Sequence, residues 1–72
     1  MLPEIYQVYI RWEPVHGAMA YQILVNGNKV AKAGARARTT RVNVQENTVI
    51  EIVDLPAESK VQKVEFSQVV QA

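Results

Sequence analysis

Residues able to carry out covalent or acid–base chemistry are scarce in this chain of 72 residues. Cysteine is absent, and the single histidine, His16, stands where Pro14 and Gly17 predict a turn. A nucleophile would have to be Ser59, Ser67 or a threonine, and none of these stands in a recognisable nucleophile motif. A solvated turn histidine is the favoured interpretation, so we predict no catalytic residues and a protein that is not an enzyme.

Acidic residues are the second group that could do chemistry, as metal ligands. Glu51, Asp54 and Glu58 follow one another closely, but the ordered D-x-D-x-D-G spacing of a calcium loop is missing. One histidine without cysteine cannot complete a zinc site. We therefore predict a solvated acidic loop, and we expect no metal and no cofactor.

Basic residues form the sharpest feature of the sequence. Residues 14–45 include five bases and no acid, whereas residues 46–58 include four acids and no base. The five bases are Lys29, Lys32, Arg36, Arg38 and Arg41. Such a ridge attracts nucleic acid, an anionic lipid surface or an acidic protein. A solubilising edge strand is the competing interpretation, because bases on an edge prevent unwanted pairing.

The choice among these partners depends on the aromatic residues. No aromatic residue interleaves with the five bases along the chain, and proteins that bind single strands usually add stacking partners. We therefore favour an acidic protein surface over nucleic acid. Tyr9 and Leu24 are predicted to face outward and are added to the candidate partner-binding residues, because exposed apolar side chains that cluster mark contact patches.

Length and composition predict one globular domain over residues 1–72. A chain this short cannot fill a second core, and 49% hydrophobic with 21% charged residues is typical of folded proteins. The expected net stability is only about 3–5 kcal/mol. The sequence shows neither a secretory signal pattern nor an apolar run long enough to cross a membrane, so we expect a soluble protein made in a cytoplasm.

Period-two alternation of apolar and polar residues predicts antiparallel strands with one buried face. Tyr6, Trp12 and Tyr21 fall on inward rows, and Asn26-Gly27 predicts a type I′ hairpin turn. The predicted strands are residues 6–12, 21–25, 28–32, 39–44, 48–53 and 61–70, with connections at 33–38, 45–47 and 54–59. Even spacing of short strands without an amphipathic helix favours a sandwich or a barrel.

Two stretches resemble fibronectin type III domains. The run from Val8 to Ala18, with Trp12 before a Pro-containing turn, resembles the second strand of that family, and the run from Tyr21 to Gly27 resembles the third. The resemblance implies an immunoglobulin-like, fibronectin type III-like antiparallel β-sandwich of six to seven strands, and a habit of binding. The chain departs from the family in two ways. Members of the family usually carry an inward tyrosine on the sixth strand, whereas this chain has no tyrosine beyond Tyr21, so Ile50 or Ile52 must fill that space. The first strand, if present, is limited to residues 2–5.

These observations favour a non-catalytic structural or interaction module. We expect a small accessory component, a decoration or tail protein, of a virion or similar assembly, made in the host cytoplasm and present in multiple copies or as a homo-oligomer. The alternative is an extracellular or cell-surface accessory domain that binds carbohydrate or a cell-surface protein. Fold does not fix function, so the partner is the open question.

Overall fold

The computed structural model describes residues 4–66, and this part of the chain forms six β-strands joined by turns. The strands are β1 (Tyr6–Arg11), β2 (Ala20–Val25), β3 (Asn28–Gly34), β4 (Thr39–Val44), β5 (Thr48–Leu55) and β6 (Lys60–Phe66). No helix in the described residues is both long and apolar enough to span a membrane.

The strands form two antiparallel sheets that face each other. β1 pairs with β4, and β3, β2, β5 and β6 follow in that order in a four-stranded sheet. Successive side chains of a strand point to opposite faces, so each strand contributes one inward and one outward row. The inward rows of both sheets meet in one buried core. The predicted all-β antiparallel fold is confirmed, with six strands in two sheets as in a β-sandwich.

The centre of the core joins the two sheets through an aromatic pair. Trp12, directly after β1, and Tyr21, in β2, are 2% and 1% exposed, and their ring centroids lie 5.4 Å apart. The backbone N–H of Trp12 donates to the carbonyl of Arg38, which continues the β1–β4 ladder past the end of both strands. Ile50 and Ile52 of β5 are fully buried beside this pair. The predicted burial of Trp12 and Tyr21 on opposing sheets is confirmed.

The β2–β3 connection is the predicted two-residue hairpin turn. Asn26 has a φ of 50° and Gly27 a φ of 84°, which are the positive values that both central positions of a type I′ turn require. The side chain of Asn26 also accepts a hydrogen bond from the backbone N–H of Val49, at 2.9 Å. The turn therefore closes its own hairpin and is also hydrogen-bonded to β5.

Two predicted connections were too long. Ala33 and Gly34 belong to β3, because they pair with Tyr21 and Ala20 of β2 and continue that ladder. The connection after β3 is limited to residues 35–38. Asp54 and Leu55 likewise extend β5 by pairing with β2, so the following connection is residues 56–59. Tertiary pairing overrides the weak strand propensity of alanine, glycine and aspartate.

The chain ends were predicted to contribute more strand than the described residues contain. Glu4 and Ile5 lie in no strand, and residues 2 and 3 of the predicted first strand lie outside the described residues. β6 begins at Lys60, and residues 67–70 of the predicted last strand also lie outside. Residues 45–47 join β4 to β5 across the two sheets.

Candidate binding groove

The segment whose charged residues are all basic forms two edge strands on one side of the sandwich. β3 is an edge of the four-stranded sheet and β4 is an edge of the two-stranded sheet. The turn at Ala35 and Arg36 carries the chain from one edge to the other. We call this region, residues 28–44, the β3/β4 side. It contains all five predicted basic residues, so the fold gathers them on one side.

Four of the five basic side chains on the β3/β4 side are free to meet a partner. Lys29, Lys32, Arg36 and Arg41 are exposed, and none of them takes part in an ion pair within residues 4–66. Exposed charges within about 8 Å of each other still interact at physiological ionic strength. Within the described part of the chain, these four bases therefore have no direct ion-pair partner.

Arg38 has a different role from the other four bases. Its side chain is half-buried, and one guanidinium nitrogen donates to the carbonyls of Ala35 at 2.9 Å and Ala37 at 2.7 Å. Its own carbonyl accepts the Trp12 N–H at 2.9 Å. Arg38 thus holds the β3–β4 connection in place, and its guanidinium is partly occupied before any partner arrives.

A groove runs beside β4 on this side. One cavity of about 250 Å³ lies between β4 and the β2–β3 hairpin, and a second of about 270 Å³ continues it toward the end of β4. Val25 and Asn43 line both. The first cavity is also lined by Ile23, Val30, Ala31, Arg41 and Val42, and the second by Ile5, Asn26, Val44, Gln45 and Thr48. Among the described residues, the lining is apolar with amide groups, one threonine and one arginine, and it contains no acid.

Tyr9 and Leu24 do not form a common patch. Tyr9 is 68% exposed on the outer face of the two-stranded sheet, whereas Leu24 is half-buried on the outer face of the four-stranded sheet. The pairing instead puts Tyr9 directly opposite Arg41, and Arg11 follows on the same row of β1. An aromatic residue therefore does lie among bases, but across strands. Reading along the chain missed this arrangement, which depends on strand register.

The only histidine lies in the predicted turn. His16 is exposed, beside Gly17 at a φ of 86°. The turn is fastened to the core because the backbone N–H of Val15 donates to the hydroxyl of Tyr21, at 3.1 Å. His16 thus stands on an exposed turn that is hydrogen-bonded to the core.

The predicted solvated acidic loop is wrong for Asp54. This residue is 4% exposed, and its carboxylate accepts the backbone N–H of Ser59 at 2.6 Å. Its backbone carbonyl accepts the N–H of Glu58 at 2.7 Å. Glu51 is paired with Lys60 at 3.1 Å. Asp54 shapes the β5–β6 turn, and nowhere in residues 4–66 do three acidic or histidine side chains come together as a metal cluster.

Within residues 4–66, one ionisable group has a clearly shifted pKa, Tyr6 at the start of β1. Partial burial, a 3.1 Å hydrogen bond to the Glu4 carboxylate, and the charges of Glu4 and Glu46 raise the pKa of the Tyr6 phenol. The ring of Tyr6 packs on Phe66, with centroids 5.4 Å apart. This environment stabilises the neutral phenol as part of the fold.

Comparison of the chain with family models, with curated proteins and with solved structures found no match.

Proposed function

We propose that this domain is a non-catalytic interaction module that binds an acidic protein surface through its β3/β4 side. One observation carries the proposal. Four exposed bases, Lys29, Lys32, Arg36 and Arg41, lie on the β3/β4 side, where Arg41 lines the groove, and none of the four has an ion-pair partner in residues 4–66. The two lysines at the opposite edge of the same sheet, on β6, each have a glutamate within 4 Å.

Electrostatics explains why this arrangement favours a partner. Like charges gathered on one side repel each other in the free domain, and carboxylates of a partner would relieve that repulsion. A positive surface also steers a negative partner and raises the association rate. Binding to the folded state adds to the stability of a small domain by mass action. An exposed groove then supplies apolar contact that charge alone does not.

The biological setting that we propose is a larger assembly, such as a virion, in which the domain is a small accessory component. Membership of the fibronectin type III family is part of the proposal. The inward Trp12 of one sheet and the inward Tyr21 of the other, which the resemblance to that family implies, support it.

A second candidate function, a ligand-binding accessory domain, is favoured by the face around Tyr9. Its ring is 68% exposed, with Arg41 opposite and Arg11 on the same row. An exposed ring beside guanidinium groups can stack on a sugar or a base. A titration of the ¹⁵N-labelled protein with oligosaccharides and with a short oligothymidylate tests this candidate, which requires shifts centred on Tyr9.

Zero-length carbodiimide cross-linking tests the leading proposal, because it joins a lysine amine only to a carboxylate in direct contact. The protein is cross-linked within the assembly with which it copurifies, and the linked lysines are located by mass spectrometry. We expect links from Lys29 and Lys32 to acidic residues of another protein. Lys60 and Lys63 serve as internal controls, and links to a partner from these two alone would contradict the proposal.

A further inference from the structure

The edges of the two sheets are built differently. In the four-stranded sheet, both edge strands have an irregular register, at Ile23/Leu24 opposite β3 and at Ile52/Val53 opposite β6. Both also carry two lysines. The lysines are Lys29 and Lys32 on β3, and Lys60 and Lys63 on β6. Bulges and lysines are the features with which proteins prevent a further strand from adding to an edge.

The two-stranded sheet has neither protection. β1 and β4 pair in an unbroken register over six residue pairs, and neither strand contains lysine, proline or glycine. Both of its edges are regular. An edge of this kind presents a row of N–H and C=O groups with the spacing that another strand requires.

The edge of β1 is partly occupied, whereas that of β4 is open. The side-chain amide of Gln62 donates to the carbonyl of Arg11 at 3.2 Å, and the Tyr6–Phe66 ring pair covers the other end of β1. No hydrogen bond of this kind reaches the outer edge of β4 from elsewhere in residues 4–66. The cavities beside β4 lie along this open edge.

The register identifies the free groups of β4. Trp12 donates to the carbonyl of Arg38, so this opposed pair is hydrogen-bonded, and hydrogen-bonded pairs alternate along an antiparallel ladder. The backbone groups of residues 40, 42 and 44 therefore point to β1. Those of Thr39, Arg41 and Asn43 point away from it, toward the groove side.

An added strand at this edge would have one apolar and one charged row. Its inward side chains would enter the groove against Val30, Ala31 and Val42. Its outward side chains would lie beside Arg41, on an outer face that contains no acid on β1 or β4. The chemistry of the two rows is complementary to alternating apolar and acidic residues.

We propose that β4 receives an extended segment of the partner protein as an additional antiparallel or parallel strand, with apolar side chains in the groove and carboxylates toward Arg41. This inference rests on the proposed function, because it specifies how the acidic partner binds. Backbone hydrogen bonds supply affinity and the alternating side chains supply specificity.

Three peptides of ten residues, each with five glutamates and five valines, test the mode of binding. One alternates the two residues, one has the same alternation with every amide N-methylated, and one has the residues in two blocks. Each is titrated into the ¹⁵N-labelled protein, and amide exchange is measured. We expect the alternating peptide to bind and to protect the amides of Thr39, Arg41 and Asn43. N-methylation removes hydrogen bonds from the added strand and should weaken binding about tenfold or more.

The outcomes separate this inference from the proposed function. Equal binding of alternating and block peptides, lost in Lys29→Glu/Lys32→Glu but without protection of β4 amides, overturns strand addition and leaves binding of an acidic surface intact. Absence of binding by all three peptides overturns both. Tighter binding of a ten-residue oligothymidylate, centred on Tyr9, overturns both in favour of nucleic acid.

A variant of the protein gives an independent test. Asn43→Pro removes a donor from the free edge and no hydrogen bond from the β1–β4 ladder, and Asn43→Ala is its matched control. Because both variants lack the Asn43 side chain, they differ in the backbone donor, and we expect the alternating peptide to bind the proline variant about tenfold more weakly than the alanine variant. If the proline variant does not fold, the N-methylated peptide decides the question. Unchanged binding by a folded proline variant would overturn strand addition.

Discussion

The edges of the two sheets are in contact on one side of the sandwich and are separated by a groove on the other. On the β1/β6 side, the Tyr6–Phe66 ring pair and the Gln62–Arg11 hydrogen bond join the sheets. On the β3/β4 side, an apolar groove remains between the edges. The charges follow the same division, since within residues 4–66 the lysines of β6 are paired with glutamates and those of β3 are not.

This difference separates residues that stabilise the fold from residues that are available for binding. A small domain has little stability to lose, so contacts that join the sheets should be sensitive to substitution. Exposed side chains beside the groove should tolerate substitution with little loss of stability. The comparison therefore predicts a large stability effect at the shared core, a moderate one on the β1/β6 side, and almost none on the β3/β4 side.

The largest effect is expected from Trp12→Ala. Both sides depend on the Trp12–Tyr21 contact, and removal of a buried tryptophan side chain typically costs about 3–5 kcal/mol. This is comparable to the whole expected stability, so the variant should be largely unfolded by circular dichroism and urea denaturation. Met19→Ala, at a side chain that is 74% exposed, is the control. An unchanged midpoint for the tryptophan variant would contradict the assigned core.

A moderate effect is expected on the β1/β6 side alone. Phe66→Ala removes a half-buried ring and should cost about 2 kcal/mol, roughly half the value for a fully buried aromatic. Val30→Ala, on the β3/β4 side at 54% exposure, should change the free energy of unfolding by less than about 0.5 kcal/mol. Chemical denaturation of both variants measures the contrast. Equal costs would remove the distinction between the two sides.

Smaller effects on stability, of opposite sign, are expected from the lysines of β6 and those of β3. Lys60→Glu/Lys63→Glu breaks two surface ion pairs, each worth about 0–1 kcal/mol, and should destabilise the fold slightly. Lys29→Glu/Lys32→Glu breaks none in the described residues and relieves repulsion among bases, so it should be neutral or slightly stabilising. Thermal unfolding at low salt, where these terms are largest, compares the two variants. A reversed order would mean that the bases of β3 are neutralised within the fold.

The smallest effect concerns ionisation on the β1/β6 side. The Glu4 carboxylate helps to raise the pKa of Tyr6, so Glu4→Gln should lower that pKa toward the ordinary value. Because the neutral phenol is favoured in the fold, its contribution to stability is present below the ordinary tyrosine pKa and is lost as pH rises through the raised one. An NMR titration of the Tyr6 ring carbons measures the shift. An unchanged pKa in Glu4→Gln would remove Glu4 as a cause.

The sequence predicted the parts of this fold that depend on local patterns. Alternation located the inward rows around Trp12 and Tyr21, and Asn26-Gly27 located a turn that positive φ values then explain. It failed where pairing with a distant strand decides the structure. Ala33 and Gly34 belong to β3 because they pair with β2. Asp54 is buried, and its carboxylate accepts a hydrogen bond from the backbone N–H of Ser59.

The candidate site was predictable only in part for the same reason. The run of bases is visible along the chain, but the role of Arg38 depends on carbonyls of its own loop. The position of Tyr9 opposite Arg41 depends on the β1–β4 register. The groove itself exists only because two edges of different sheets face each other.

The most direct test of the central claim is a calorimetric titration of poly-L-glutamate into three proteins over a salt series. The proteins are the wild type, Lys29→Glu/Lys32→Glu, and the charge-matched control Lys60→Glu/Lys63→Glu. We predict that the wild type and the control bind, with affinity falling as salt rises, and that the β3 variant does not bind. Equal binding by the two variants, or loss of binding in the control alone, would contradict the assignment of acidic-partner binding to the β3/β4 side.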